Sequence, residues 1–383
     1  MTRTLLVSLV TLGDPERLTG GYLYHRRMAE LAPEHRAELR FVSLPDRPFP
    51  LPALAGAAVL RRALDPAAPG PASEPARSAG DPAPAPSPRT GRGEADVVVL
   101  DSIAAAFLGP WLALRRLPVP LVGSLHQPPG GIDHGRPRRA VQTPLDRLAY
   151  GQAALLLVAS QALAEQVEAA GLPAGRIRVV PPGRDVAPAA GPPAGDLRRG
   201  RRAALLCVAN WIERKGILET LEALARLDAG TATLHLAGDD RADPRYAAAV
   251  RARLSRPDLA GRVVVHGPLP IEGIAALYQA ADVFVLPSLR EPYGTVWGEA
   301  MAAGLPVVGW RAGNLPHLAG DREALLVPPG DLEGLRQALA LLATDEPLRR
   351  DMGEAARLRA SQRPTWRESA ALFFGSLREA AQG

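Results

Sequence analysis

The chain has 383 residues, 47% of them hydrophobic and 4% aromatic, and a formal net charge of +5. That is too long for one ordinary domain and apolar enough to bury more than one core, so two domains are expected. The single cysteine, Cys207, sits in the apolar run Leu205–Val208 and reads as a buried, reduced strand residue; no disulfide framework exists, which fits a reducing compartment. No stretch approaches eighteen consecutive apolar residues, and the run Leu5–Val10 is too short for a secretory h-region, so a cytoplasmic protein is expected. Arginine clusters (Arg136, Arg138, Arg139; Arg198, Arg199, Arg201, Arg202) attract polyanions in general. They are not interleaved with base-stacking aromatics, which argues against nucleic acid. A weak peripheral contact with an anionic membrane, at its inner face, stays open.

In chain order, short β-rich runs alternate with amphipathic stretches. Strands are expected at Leu5–Val10, Leu39–Ser43, Asp96–Leu100, Pro120–Ser124, Ala154–Ala159 and Ile177–Val180. A second series follows at Ala204–Ala209, Thr233–Ala237, Arg262–Val265, Val283–Leu286, Pro306–Gly309 and Leu325–Val327. Near-continuous apolar strands joined by helices imply an α/β fold with two parallel sheets, each covered on both faces. Residues 65–94 are dominated by Pro, Ala, Gly and Ser and read as a disordered insertion. The segment 186–202, between the two series, reads as a linker. From Asp331 onward the chain reads as helices, the last from about Trp366 to Ala380 with Leu372, Phe373 and Leu377 in its apolar set.

In doubly wound sheets ligands sit at the carboxyl ends of strands, and that rule selects the loops to read. Gly20-Gly21 follows the first strand and opens a helix, where backbone can approach a phosphate; a plain turn is the alternative. His126 stands at the exit of the fourth strand beside Gly130-Gly131. The strand ending at Ala209 runs into Asn210-Trp211-Ile212-Glu213-Arg214-Lys215-Gly216 and then a helix with Leu218, Leu221, Leu224 and Ala225 on one face. Two cations at a helix start oppose its dipole, which an anionic ligand would relieve. Of the 45 basic residues, Lys215 is the only lysine, and the only asparagines are Asn210 and Asn314. A lysine retained under such an arginine bias suggests a site where the guanidinium fork does not serve.

The segment Arg290-Glu291-Pro292-Tyr293-Gly294-Thr295-Val296-Trp297-Gly298-Glu299-Ala300-Met301-Ala302-Ala303-Gly304-Leu305-Pro306 follows the tenth strand. A short helix from about Thr295 is expected to end at Gly304, with backbone N–H groups at Gly294 and Thr295 suited to an anion. Glu299 could accept from two vicinal hydroxyls, as on ribose, and Glu291 projects from the loop; two surface glutamates are the plain alternative. No G-x-G-x-x-G follows a strand, which weakens a dinucleotide reading, and no D-x-D occurs.

The Glu291–Glu299 pair with its trailing Glu-Ala-Met-Ala-Ala-Gly-Leu-Pro-Val-Val resembles the E-x7-E signature of glycosyltransferase family 4. The similarity extends to Gly20-Gly21, His126, the exit Val158-Ala159-Ser160, Val179-Val180-Pro181-Pro182-Gly183-Arg184-Asp185, Arg214-Lys215-Gly216, Ala237-Gly238-Asp239, His266-Gly267 and Pro364-Thr365-Trp366. The resemblance implies a GT-B fold: an N-terminal acceptor domain over 1–185, a linker over 186–202, a nucleotide-sugar domain over 203–363, and a helix over 364–383 that crosses back onto the first domain. Catalysis would lie in the cleft between domains. The implied function is retaining transfer of a sugar from a nucleotide diphosphate to a hydroxyl acceptor, with no metal and no cofactor besides the donor. Lys215 would bind the diphosphate and Glu299 the ribose, Glu291 and His126 would face the sugar, and Arg214 would assist the leaving group. Gly20, Gly21, Asn210, Gly238, Gly267, Gly294, Thr295 and Val296 would border the donor. Two departures stand out: Asn210 replaces the family's usual arginine, and Pro316-His317 replaces Pro-Glu. A nucleotide-sugar epimerase on the same scaffold and a catalytically silent nucleotide-sugar-binding partner are the alternatives.

Overall fold

The computed structural model describes residues 3–16, 20–65, 94–184 and 195–382. All but the two end residues of the expected insertion at 65–94, and residues 186–194 of the expected linker at 186–202, lie outside them. The chain divides into two compact units, residues 1–182 with 366–383, and residues 183–365.

The first unit runs β1 (Leu5–Leu12), α1 (Gly20–Leu31), β2 (Ala37–Leu44), α2 (Gly56–Leu64), β3 (Val97–Asp101), α3 (Ala105–Leu114), β4 (Leu121–Leu125), α4 (Arg136–Gly151), β5 (Leu155–Val158), α5 (Gln161–Ala169) and β6 (Ile177–Val179). Its six parallel strands lie in the order β2-β1-β3-β4-β5-β6. Every residue of β3, Val-Val-Val-Leu-Asp, is buried, as a central strand covered on both faces requires. From β1 the chain moves to β2 on one side, then returns to β3 on the other and continues outward to β6, so the switch point lies between β1 and β3. Ser160 ends β5 by capping α5, accepting from Leu163 N at 3.1 Å.

The second unit runs β7 (Ala203–Val208), α6 (Ile217–Ala225), β8 (Ala232–Ala237), α7 (Pro244–Leu254), β9 (Val263–Gly267), α8 (Ile271–Ala280), β10 (Val283–Val285), α9 (Thr295–Ala302), β11 (Val307–Trp310), α10 (Leu315–Leu318), β12 (Ala324–Val327), α11 (Leu332–Thr344) and α12 (Glu346–Ser361). Its parallel order is β12-β11-β10-β7-β8-β9, with the switch point between β7 and β10. Cys207 is buried in β7, and burial pushes its thiol up to about 12. Gly304, at φ 84°, follows the last turn of α9 as the helix stop.

The last helix, α13 (Trp366–Gln382), belongs to the first unit and packs Ala370, Phe373, Phe374 and Leu377 into its core with Tyr24 and Met28. Burying each of the three large side chains contributes about 1.5–3 kcal/mol. Two expected helix faces are corrected. In α13, Leu372 is 48% exposed and Phe374 takes its place, because positions 370, 373, 374 and 377 share one helical stripe. In α6 the buried set is Ile217, Thr220, Leu221, Ala223 and Leu224, with Leu218 and Ala225 at its edge. Among the described residues no helix is long and apolar enough to cross a membrane.

Candidate functional site

The second unit gathers its polar side chains at the β7/β10 switch point. After β7, Glu213–Lys215 form a single 3-10 turn that ends at Gly216, whose φ of 71° lies in the left-handed region. A Cβ there would meet the Pro287 carbonyl oxygen at 2.4 Å, so the exits of β7 and β10 touch through this glycine. The Arg214 carbonyl accepts from Leu289 N at 2.9 Å and from Ser288 Oγ at 3.1 Å, closing the two loops together. Lys215 Nζ donates to Glu291 Oε2, and Arg214 donates to the same oxygen at 3.2 Å and to the Arg290 carbonyl at 2.8 Å. These three side chains are 12–15% exposed. The cations before α6 thus have a resident carboxylate in Glu291. Lys215 and Arg214 both donate to Glu291, and cations so largely removed from water suit an anion.

Beyond Glu291 the loop turns at Gly294, φ 85°, which caps α9 without a side chain. A Cβ at Gly294 would come 2.2 Å from the Trp297 ring, so only glycine serves. Its carbonyl accepts from Trp297 N and Gly298 N at 3.1 and 3.3 Å. The N–H groups of Thr295 and Val296, in the first turn, have no acceptor within the helix and carry the positive end of its dipole. Glu299, exposed on α9, accepts from Tyr278 Oη at 3.1 Å. Burial, with the Glu299 carboxylate beside it, pushes the Tyr278 phenol far above its ordinary range, so it stays a donor. Asn314 braces the loop from behind, its N donating to the Glu291 carbonyl at 3.0 Å and its Nδ2 to the Tyr293 carbonyl at 2.8 Å. The Arg363 guanidinium lies over the Tyr293 ring, 5.0 Å from its centroid, and fills the space beside Gly298.

Asn210, Gly238 and Gly267 stand at the neighbouring exits of β7, β8 and β9. Asn210 Oδ1 accepts from Asp239 N at 3.2 Å, and Gly238 N donates to the Gly267 carbonyl at 2.8 Å. Asn210 therefore ties two strand exits together. His317 is exposed on α10.

In the first unit, Gly20 and Gly21 open α1, and a Cβ at Gly21 would rest 3.5 Å from the His126 ring. His126 leads into a cluster that the sequence analysis did not single out. Its Nε2 lies 3.2 Å from Nε2 of the fully buried His25, which is also 3.2 Å from Ser124 Oγ. His25 Nδ1 is 3.5 Å from Asp101 Oδ2. Asp101 accepts from Thr11 Oγ1 at 2.7 Å, Ser102 Oγ at 3.3 Å and Ile103 N at 3.4 Å. Burial raises the Asp101 carboxyl above its usual range, against the neighbouring His126 and these three donors. Burial lowers His25 to about 3, and burial with the adjacent His25 lowers His126 to about 3, so both rings are neutral at neutral pH. Asp101 ends a strand that is otherwise wholly apolar, which is the signal that would have found it. Tyr278 and Asn314 meet the site from distant elements; only the rarity of asparagine marked the latter.

Two family models match the chain: Glycosyl transferase 4-like domain over residues 5–183, and Glycosyl transferases group 1 over residues 202–345. The chain belongs to glycosyltransferase family 4. This family 4 chain is 28% identical over 285 residues to a D-inositol 3-phosphate glycosyltransferase of Xylanimonas cellulosilytica, covering 69% of the chain and 67% of the relative. It is 43% identical over 99 residues to the enzyme of that name from Corynebacterium diphtheriae, covering 26% of the chain. The match spans about a quarter of that relative's length (23%). Among solved structures, sucrose-phosphate synthase from Thermosynechococcus elongatus superposes with a TM-score of 0.75 at 21% identity, over 98% of each chain. Anabaena Alr3699/HepE in complex with UDP and glucose gives 0.73 at 20% identity, over 97% of this chain and 99% of its own. These likenesses, with the two parallel six-stranded sheets, make the fold a two-domain GT-B.

Proposed function

We propose that this chain transfers a sugar from a nucleotide diphosphate to a hydroxyl acceptor with retention of anomeric configuration and without a metal ion. The observation that carries the reading is the convergence of Lys215, Arg214 and Glu291 with the glycine-capped start of α9 at one switch point. A diphosphate seated there would meet Lys215, Arg214 and the N–H groups of Thr295 and Val296, while Glu299, set by Tyr278, would take the ribose hydroxyls. Glu291, already holding Lys215, would face the sugar, and Gly238 and Gly267 would border the nucleoside side. The family membership and the relatives' names support the reaction class. The neighbour bound to UDP and glucose makes a UDP-sugar the first donor to try.

In the proposed reaction the acceptor oxygen forms a bond to the anomeric carbon on the face from which the diphosphate oxygen leaves. The carbon–oxygen bond to the diphosphate breaks, and the acceptor proton passes to the departing oxygen. Lys215 and Arg214 stabilise the charge that grows on the leaving group, the role a metal plays elsewhere. The test is incubation of the protein with UDP-, GDP- and ADP-sugars in EDTA, with release of nucleoside diphosphate and the anomeric configuration of the product read by NMR. Release from none of the donors, inversion at the anomeric carbon, or loss of release on adding EDTA would each overturn a stated part of the reading.

The contact with an anionic membrane has a candidate surface. Leu51, Leu54, Trp111 and Leu114 are exposed, the last two on α3 beside exposed Arg115 and Arg116. Trp111 Nε1 donates to the Ala53 carbonyl at 2.9 Å, joining the two segments into one patch. Apolar and basic residues together suit anionic headgroups. Leu54→Ser with Leu114→Ser should reduce co-sedimentation with phosphatidylglycerol vesicles, and unchanged sedimentation would reject the contact.

A further inference from the structure

The row Asp101, His25, His126 in the first unit is built from two strand exits and one helix, and each member faces the next. His25 stands between the other two. A carboxylate oxygen lies 3.5 Å from its Nδ1, an ion-pair distance without a formed hydrogen bond, and an imidazole nitrogen lies at a hydrogen-bonding 3.2 Å from its Nε2. Burial opposes ionisation of Asp101, while Thr11, Ser102 and the Ile103 N–H all donate to it and favour the carboxylate. A lone pair on His25 Nδ1 would face that oxygen repulsively, whereas an N–H there is attracted to it. Both rings are neutral, so each carries one proton, and a proton on Nδ1 leaves His25 Nε2 as an acceptor. Ser124 Oγ and His126 Nε2 both lie within reach of that lone pair. Two neutral imidazoles meeting nitrogen to nitrogen need one donor and one acceptor, and with His25 accepting, His126 must donate.

We infer that Asp101 and His25 are positioning residues that hold His126 as its Nε2–H tautomer, so that His126 offers an Nδ1 lone pair to a ligand hydroxyl. Among the described residues the hydrogen bonds of His126 run through Nε2 to His25 and through its backbone N–H to Ser102 Oγ at 3.3 Å, which leaves Nδ1 for that role. Gly21 lies beside the Cδ2 edge of the ring, and Tyr24 packs edge-on with centroids 4.7 Å apart. The ligand hydroxyl would belong to the sugar, and that consequence rests on the proposed transfer; the tautomer itself does not.

The test is ring-nitrogen NMR of the full chain labelled with 15N-histidine, with His126 and His25 assigned by loss of their signals in His126→Asn and His25→Asn. The parent should show a protonated Nε2 on His126 and a protonated Nδ1 on His25 at neutral pH. In Asp101→Asn the fixed Ile103 N–H keeps the amide oxygen on its side, which turns the amide NH₂ toward Thr11 Oγ1 and His25 Nδ1. His25 should then move its proton to Nε2, and His126 should move its own to Nδ1. Nucleoside diphosphate affinity, which resides in the other unit, should not change, while turnover should fall at least ~10-fold, since a wrong tautomer in a comparable acid–histidine pair is costly. Ser124→Ala should leave His126 protonated on Nε2. A parent spectrum with His126 protonated on Nδ1 overturns the inference whether or not Asp101→Asn folds. Unchanged tautomers in a folded Asp101→Asn, or loss of the Nε2 proton in Ser124→Ala, overturn it as well. If no donor is turned over by the parent, the transfer reading fails while the spectra still decide the tautomer.

Discussion

Replacing Gly294 by alanine should damage the start of α9 more than any other single methyl added in that loop. Two separate costs meet there. The backbone sits at φ 85°, and an L side chain held in the left-handed region costs about 1–2 kcal/mol. The new Cβ would also stand 2.2 Å from the ring of Trp297, a side chain with 0% exposure and no room to retreat. Relieving that contact needs a shift of more than an ångström in a packed core, an overpacking cost of about 1–3 kcal/mol. The sum is a loss of about 2–5 kcal/mol from the second unit. Urea unfolding followed by tryptophan fluorescence reads it, because Trp211, Trp297 and Trp310, three of the five tryptophans, lie in that unit. Gly375→Ala is the control: it lies within α13 with nothing within 4 Å of its Cβ, and it should not destabilise. A Gly294→Ala protein that unfolds within ~0.5 kcal/mol of the parent, a change typical of surface substitutions, would refute the reasoning.

Glu299→Gln should weaken nucleotide binding by ~1.5–3 kcal/mol, the range for a hydrogen bond to a charged group, and calorimetry with an unchanged affinity would reject the ribose role. Lys215→Arg keeps the charge but should lower kcat by ~10²–10³-fold, because the planar fork replaces the compact ammonium that Glu291 holds; near-parental steady-state rates would remove the argument from its being the only lysine. Asp146 should make the first unit less stable as pH rises. Burial raises its carboxyl to about 7 from an ordinary 3.8, so the unfolded chain ionises first, and stability should fall between about pH 4 and pH 7 and then level off. Asp146→Asn should flatten that slope, and identical slopes in thermal melts of the two proteins would count against it.

The strands were legible as short runs rich in apolar residues, and the inner ones, such as β3, β4, β8 and β11, are buried along their whole length, where burial and sequence pattern coincide in a parallel sheet. The run from Glu291 to Glu299 was legible for a different reason: its glycine, its helix start and its two carboxylates lie within one stretch of chain. What escaped is assembled across the sequence. His25 lies on α1, Asp101 ends β3 and Ser124 lies in β4, and only the parallel order β1-β3-β4 brings them side by side. Tyr278 reaches Glu299 from the preceding helix, and Asn314 reaches Tyr293 from beyond β11. The faces of α6 and α13 were misjudged at their edges because a helical stripe wide enough to cover a sheet shades gradually at its margins, where Leu218 and Leu372 lie. The arginine bias that drew attention to Lys215 applied equally to asparagine. Both asparagines brace strand-exit loops, Asn210 through Asp239 and Asn314 through Glu291 and Tyr293.

The central claim is that the β7/β10 switch point binds the diphosphate of the donor through Lys215. Calorimetric titration of UDP, GDP and ADP into the parent protein and into Lys215→Ala, with EDTA throughout, tests it most directly. The parent should bind at least one of the three without metal, and Lys215→Ala should bind the same nucleotide ~10- to 100-fold more weakly, the cost of one charge-assisted contact. A parent that binds none of them, or a Lys215→Ala protein that binds as tightly as the parent, would contradict it.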